Sequence, residues 1–154
     1  MPRVGVEAGV QDPGNVGAVI RVAEACGATG IIAGEGTADA FGWKALRGSM
    51  GSAFRLAVTA VSALPGALDA VRARQVRLVA AVPRGGTPLP RCDLGGPIAI
   101  LLGGEGAGLA DPLLSLADAR LSIPMAQQVD SLNVATAAAI ITYEAMRQRQ
   151  GSTP

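Results

Sequence analysis

Three short stretches of this chain carry residues whose types and spacing could do chemistry. "DPGN" (Asp12 to Asn15) is a polar turn running into an apolar, helix-patterned stretch with one arginine, Arg21, in its second turn. "LLGGEGAGL" (Leu101 to Leu109) sets four glycines in six positions around a single carboxylate, Glu105, at the end of an apolar run. "IPMAQQVDSLNVATAAA" (Ile123 to Ala139) is a proline-interrupted loop feeding a long alanine-rich helix, with Ser131 or Asp130 as its expected cap. Glycines at a strand end let backbone amides approach a ligand closely, and open α/β sheets bind ligands outside the carboxyl ends of their strands. The chain has no histidine, so any proton transfer must do without the usual neutral-pH base. Each stretch also has a plainer reading. DPGN reads as a helix-starting turn capped by its asparagine, Glu105 as a loop anchor, Ser131 as a cap and Arg21 as a solvated helix residue.

The elements that must hold these residues alternate in type. Apolar runs at Arg3 to Ala8, Thr29 to Gly34, Phe54 to Val61, Val76 to Val82, Pro97 to Gly103 and Ala119 to Pro124 read as strands. Helical patterns fall at Val16 to Cys26, Trp43 to Met50, Leu64 to Arg74, Leu109 to Ala117 and Leu132 to Gln148. Strands that are apolar throughout and separated by helices imply an α/β fold with a mostly parallel sheet flanked by helices. With 154 residues, 49% of them hydrophobic and 16% charged, residues 1–150 are expected to form one domain and 151–154 a loose tail. The chain starts almost at its first strand, so no leading domain is expected.

The apolar runs are too short to span a bilayer and no signal pattern opens the chain, which places the protein in the cytoplasm, away from membranes. Cys26 and Cys92 lack metal-type spacing, so neither a disulfide framework nor a metal site is expected, and Cys26 reads as a core residue. Net charge is +1, so nucleic acid could be held only through local patches. Lys44, Arg47 and Arg55, in a stretch free of acidic residues from Ala40 to Leu68, read either as contacts to phosphate or as a solvated helix face. The glycines Gly104, Gly106 and Gly108 are spaced GxGxG rather than GxGxxG and follow the fifth apparent strand, which leaves a Rossmann-type oxidoreductase as a minor alternative.

Taken in order, "DPGNVGAVIRVAEACG", "ILLGGEGAGL" and "LSIPMAQQVDSLNVATAAAIITYEAMRQ" resemble the three signature motifs of the SpoU/TrmH branch of the SPOUT RNA methyltransferases. The linking stretch "FGWKALRGSMGSAFRLAV" is similar as well, so the resemblance covers nearly the whole chain. It implies S-adenosylmethionine-dependent methylation of a ribose 2′-hydroxyl in tRNA or rRNA, a homodimer, and a C-terminal trefoil knot that forms the cofactor pocket. Carried over by position, Gly103, Ile123 and Leu132 would hold the cofactor, with Leu102, Gly104, Met125 and Asn133 lining the same pocket beside the loop after Val82. Asn15, Arg21, Glu105, Ser131 and Asn133 match the residues assigned to substrate binding and catalysis. Gln127 and Gln128 stand where relatives often have glycine, and the N-terminal RNA-binding domain that many relatives carry is not expected here. The resemblance also allows a catalytically silent RNA-binding or dimerisation module of the same fold. Family mechanisms often cast the arginine as a general base, yet a guanidinium has a pKa above ~12 and only donates. Arg21 is therefore read as a group that orients phosphate and stabilises a developing alkoxide, while a phosphate oxygen or water takes the proton.

Overall fold

A computed structural model describes residues 3–151 of the chain. The strands are β1 (Arg3–Ala8), β2 (Gly30–Ala33), β3 (Ala57–Ala60), β4 (Arg77–Ala81), β5 (Thr87–Pro88), β6 (Ile98–Gly103) and β7 (Ala119–Ser122). The helices are α1 (Pro13–Ala25), α2 (Trp43–Ser49), α3 (Ser52–Arg55), α4 (Leu64–Ala73), α5 (Asp111–Leu116) and α6 (Val134–Gln150). Among the described residues the strands make one seven-stranded sheet in the order β3-β2-β1-β6-β4-β7-β5. Every named pairing is parallel, with Val6 opposite both Ile32 and Leu101. The two late strands are inserted: β6 enters between β1 and β4, and β7 between β4 and β5.

Strand alternation divides the core into two layers. Ile98, Ile100 and Leu102 of β6 pack with Val16, Ile20 and Ile141 of α1 and α6, whereas Ala99 and Leu101 pack with Leu64 and Leu68 of α4. Helices α1 and α2 cross at Gly17, where a Cβ would collide with the carbonyl oxygen of Ala45 and lie 2.9 Å from the amide nitrogen of Ser49. A side chain there would push the two helices apart.

The parallel α/β architecture agrees with the sequence reading, and most element ends fall within two residues of it. Several details differ. Helix α1 starts at Pro13 and its cap is Asp12, whose carboxylate accepts the amides of Gly14 and Asn15 at 2.7 and 3.1 Å. Asn15 is thus inside the helix and its side chain is free for other work. Helix α6 is capped by Asn133, which accepts the amides of Ala135 and Thr136 at 2.9 and 3.2 Å. Neither Ser131 nor Asp130 caps it, and Leu132 lies outside it. The Phe54 to Val61 run splits into the end of α3 and the short strand β3, because Phe54 turns outward on the helix. Cys26 is half-buried at the end of α1 rather than in the core. Of the expected tail, Gly151 closes α6 and the other three residues lie outside the described range.

The end of α6 is anchored by a polar cluster. Glu144 accepts from Arg147 at 2.7 and 2.8 Å and from Gln148 at 2.9 Å, while Gln148 also bonds Leu94 and Cys92. Hydrogen bonds from Arg147 and then Gln148 pull the Glu144 carboxyl down from 4.5 to about 2. A depressed carboxyl stabilises the fold above its unfolded value and loses that contribution as pH falls from 4.5 to about 2. The side chain is 17% exposed; with solvent screening the cluster contributes about 1 kcal/mol. Glu144→Gln is expected to lower neutral-pH stability by about that amount and to leave stability near pH 2 unchanged, measured by urea unfolding. An equal loss at both pH values would refute the assignment.

Candidate active site

A cleft of about 520 Å³ opens outside the carboxyl ends of β4, β6 and β7. That is where a parallel sheet with inserted strands splays its loops, and the volume suits a nucleotide-sized ligand. Its floor is the end of β6, Leu102 through Glu105, and its far wall is the segment from Ile123 to Asn133. All seven residues expected around a cofactor, Leu102, Gly103, Gly104, Ile123, Met125, Leu132 and Asn133, line it. The loop after β4, expected beside the cofactor, contributes Val82 and Pro83. Sequence reasoning missed Leu109, Leu114, Leu121 and Ala137, which add to the apolar lining and look like ordinary core residues. Arg84 donates to the carbonyl of Val129 at 3.2 Å and so ties the loop after β4 to the loop before α6.

At the rim, three distant stretches meet through side chains. Asn15 Nδ2 donates to Glu105 Oε1 at 2.5 Å, and Asn133 Nδ2 donates to Asn15 Oδ1 at 3.1 Å. The capping bonds of Asp12 place Asn15 in the first turn of α1, and the capping role of Asn133 fixes its own rotamer. The network therefore stands on two helix starts and one strand end, which are rigid supports. Glu105 Oε2 has no hydrogen-bond partner among the described residues. Ser131 also lines the cleft.

Arg21 is set apart from this group. It lies six residues beyond Asn15 on α1, about 9 Å along the axis, and it does not line the cleft. It is exposed, and it shares a helix face with Gly17, which abuts α2, and with Glu24, which bonds Arg55 of α3 at 2.7 and 2.8 Å. The structure thus unites Asn15, Glu105, Ser131 and Asn133 and leaves Arg21 on the α2–α3 side. Among the described residues no three or more His, Cys, Asp or Glu side chains gather into a cluster, and no helix is long and apolar enough to cross a membrane.

An apolar cleft at the switch of a parallel sheet, with a carboxylate–amide network at its rim, defines a ligand-binding α/β domain. The SpoU rRNA Methylase family model matches residues 4–143, and the chain belongs to that family. It is 41% identical over 134 residues to the 23S rRNA (guanosine(2553)-2′-O)-methyltransferase RlmP of Bacillus subtilis, covering 87% of this chain and 54% of that one. Its structure matches the SpoU methyltransferase AviRb of Streptomyces viridochromogenes, solved with AdoMet, with a TM-score of 0.91 and 37% identity over 98% of this chain and 58% of that one. A chain solved in work on the 2-OH methylation of C/U34 on tRNA matches with a TM-score of 0.86 and 27% identity, covering 97% of each. The chain spans about half the length of the curated relatives it matches.

Proposed function

We propose that the chain is the methyltransferase domain of an enzyme that uses S-adenosylmethionine to methylate a ribose 2′-hydroxyl of tRNA or rRNA. The observation that carries this reading is the convergence of three separate stretches on one cleft, with the Asn15–Glu105–Asn133 network at its mouth. The cleft fits the cofactor in chemistry as well as size: its walls are apolar side chains and glycine-rich backbone, suited to an adenosine ring and to polar groups read by main-chain atoms. When bound, S-adenosylmethionine supplies a methyl group already activated by its sulfonium.

The work left to the protein is alignment of a ribose oxygen and removal of its proton. Leu102, Gly103, Gly104, Ile123, Met125 and Leu132 hold the cofactor, while Asn15, Glu105, Ser131 and Asn133 fix the nucleotide at the rim. Arg21 holds an RNA phosphate, the duty that its exposed place beside α2 favours, and a phosphate oxygen or water accepts the proton. The trefoil knot follows from the same family reading. A homodimer is also part of it, through α6, where Ile140 and Tyr143 are exposed and Ala135 and Ala139 half-buried, whereas Ala138 and Ile141 face the chain's own core. Light scattering at micromolar concentration is expected to give twice the chain mass; a monomer mass would remove the dimer from the proposal.

The decisive test is ligand-linked stability. At a hundredfold excess over its dissociation constant, S-adenosylmethionine is expected to stabilise the fold by about 2.7 kcal/mol. Transfer of labelled methyl to total RNA should follow. A melting temperature raised by NAD and not by S-adenosylmethionine would favour the oxidoreductase instead. Cofactor binding without transfer to any RNA would favour a silent module.

A further inference from the structure

The chain spends none of its aromatic residues on its core. Its two phenylalanines, one tryptophan and one tyrosine are all exposed, and three of these four cluster on α2, α3 and the turn before α2. Phe54 is 74% and Trp43 66% exposed, an unfavourable arrangement for a free surface and a common one for a binding surface. The rings of Phe41 and Phe54 lie 6.5 Å apart and join the start of α2 to α3, while Lys44 Nζ sits 5.7 Å over Trp43. Arg47 follows Trp43 by one helical turn on the same face. Lys44, Arg47 and Arg21 are exposed and make no ion pair among the described residues. Of the nearby acids, Glu24 is paired with Arg55, and Asp39 accepts the amide of Phe41 at 2.9 Å while keeping its own charge.

We infer that this α2–α3 face docks single-stranded RNA, its bases stacking on Trp43, Phe41 and Phe54 and its phosphates meeting Lys44, Arg47 and Arg21. Interleaved rings and unpaired cations suit a strand that offers flat bases and regular negative charge. A second copy suits the face poorly, since a two-fold axis would set these cations against their own images. The inference rests on the RNA-substrate reading above and adds a docking face outside the cleft.

Trp43 is the only tryptophan of the chain, so its fluorescence reports this face directly. A short single-stranded oligoadenylate added to the full chain at low salt is expected to quench that emission, the same strand annealed to oligouridylate much less. Lys44→Gln with Arg47→Gln should weaken binding at least about tenfold and flatten its salt dependence by roughly 0.7 in the log–log slope for each phosphate no longer neutralised. Phe54→Ala should weaken binding roughly tenfold, as removal of one stacking ring does, with the melting shift by S-adenosylmethionine unchanged in every variant. Retention of the strand on a filter with Trp43 emission unmoved and the double variant unaffected would overturn this face and leave the methyltransferase reading intact. Emission that instead changes with protein concentration as the mass doubles would assign the face to a second copy and overturn the proposal. No strand binding together with no cofactor shift would overturn both readings; no strand binding with a normal cofactor shift would overturn this one alone.

Discussion

Gly104→Ala is expected to destabilise the chain by roughly 2–3 kcal/mol, the usual cost of forcing atoms into filled space, and to abolish stabilisation by S-adenosylmethionine. Gly104 is the first residue after β6, and a Cβ there would collide with the carbonyl oxygen of Gly9 and lie 2.9 Å from its carbonyl carbon. Both obstacles are backbone atoms, so no flexible side chain can swing aside. Gly9 itself follows β1, whose last pair with β6 is Ala8 opposite Gly103, so the methyl group acts as a wedge at the point where two paired strands end. Relief requires either separating that last pair or moving the loop after β6. The second course displaces Glu105, the next residue, from its 2.5 Å bond with Asn15 and deforms the cleft floor. Gly66→Ala is the control, since a Cβ on that helical glycine of α4 meets nothing within 4 Å. That change should be neutral or stabilise by up to about 1 kcal/mol. Urea unfolding of the two variants, with and without cofactor, makes the comparison; a Gly104→Ala chain with the parental midpoint and cofactor shift would refute the wedge.

The sequence was most legible where one physical signal dominated. The apolar run Pro97 to Gly103 could hardly be anything but a buried central strand, and β6 fills that role with its side chains alternating between the two core layers. Legibility failed where neighbouring residues competed for one duty. In DPGN both Asp12 and Asn15 can cap, but proline is favoured at the first helical position, which makes the residue before it the cap. That reading was available, and it frees Asn15 for Glu105. In DSLN three polar residues compete, and the choice of Asn133 is tertiary: Leu132 is drawn to the cleft, so the helix starts after it. Phe54 misled for a different reason. A large apolar residue beside an apolar run reads as strand, and local pattern does not say that the ring is turned outward, because outward aromatics are justified by a partner and not by the fold. The cleft was legible through its glycines, its third loop and the loop after Val82; Leu114 and Ala137 were not, since their part in it is set by which strands the topology brings together.

Arg21→Ala is expected to lower methyl transfer roughly 100-fold, the scale of loss when a reacting group is misplaced by an ångström or so, and Arg21→Lys to lower it nearly as far. The helix face that carries Arg21 runs from Gly17 at the α2 crossing to Glu24 at the α3 ion pair, so Arg21 stands on the α2–α3 side of α1 and does not line the cleft. From there its fork can grip an RNA phosphate with two parallel hydrogen bonds, fixing the nucleotide's orientation relative to the rim network. Lysine keeps the charge but replaces the fork with a point donor on a flexible stem, so orientation is lost even where attraction survives. Folding and cofactor binding should be indifferent to either change, because Arg21 makes no ion pair among the described residues and does not line the cleft. Single-turnover methyl transfer to an rRNA fragment, paired with cofactor titration and thermal melting of the same variants, separates these effects. Near-parental turnover in the lysine variant would reduce Arg21 to a diffuse charge; near-parental turnover in the alanine variant would make it a solvated helix residue with no part in the reaction. A fall in cofactor affinity that parallels the fall in turnover would place its action in the cleft and contradict the geometry described above.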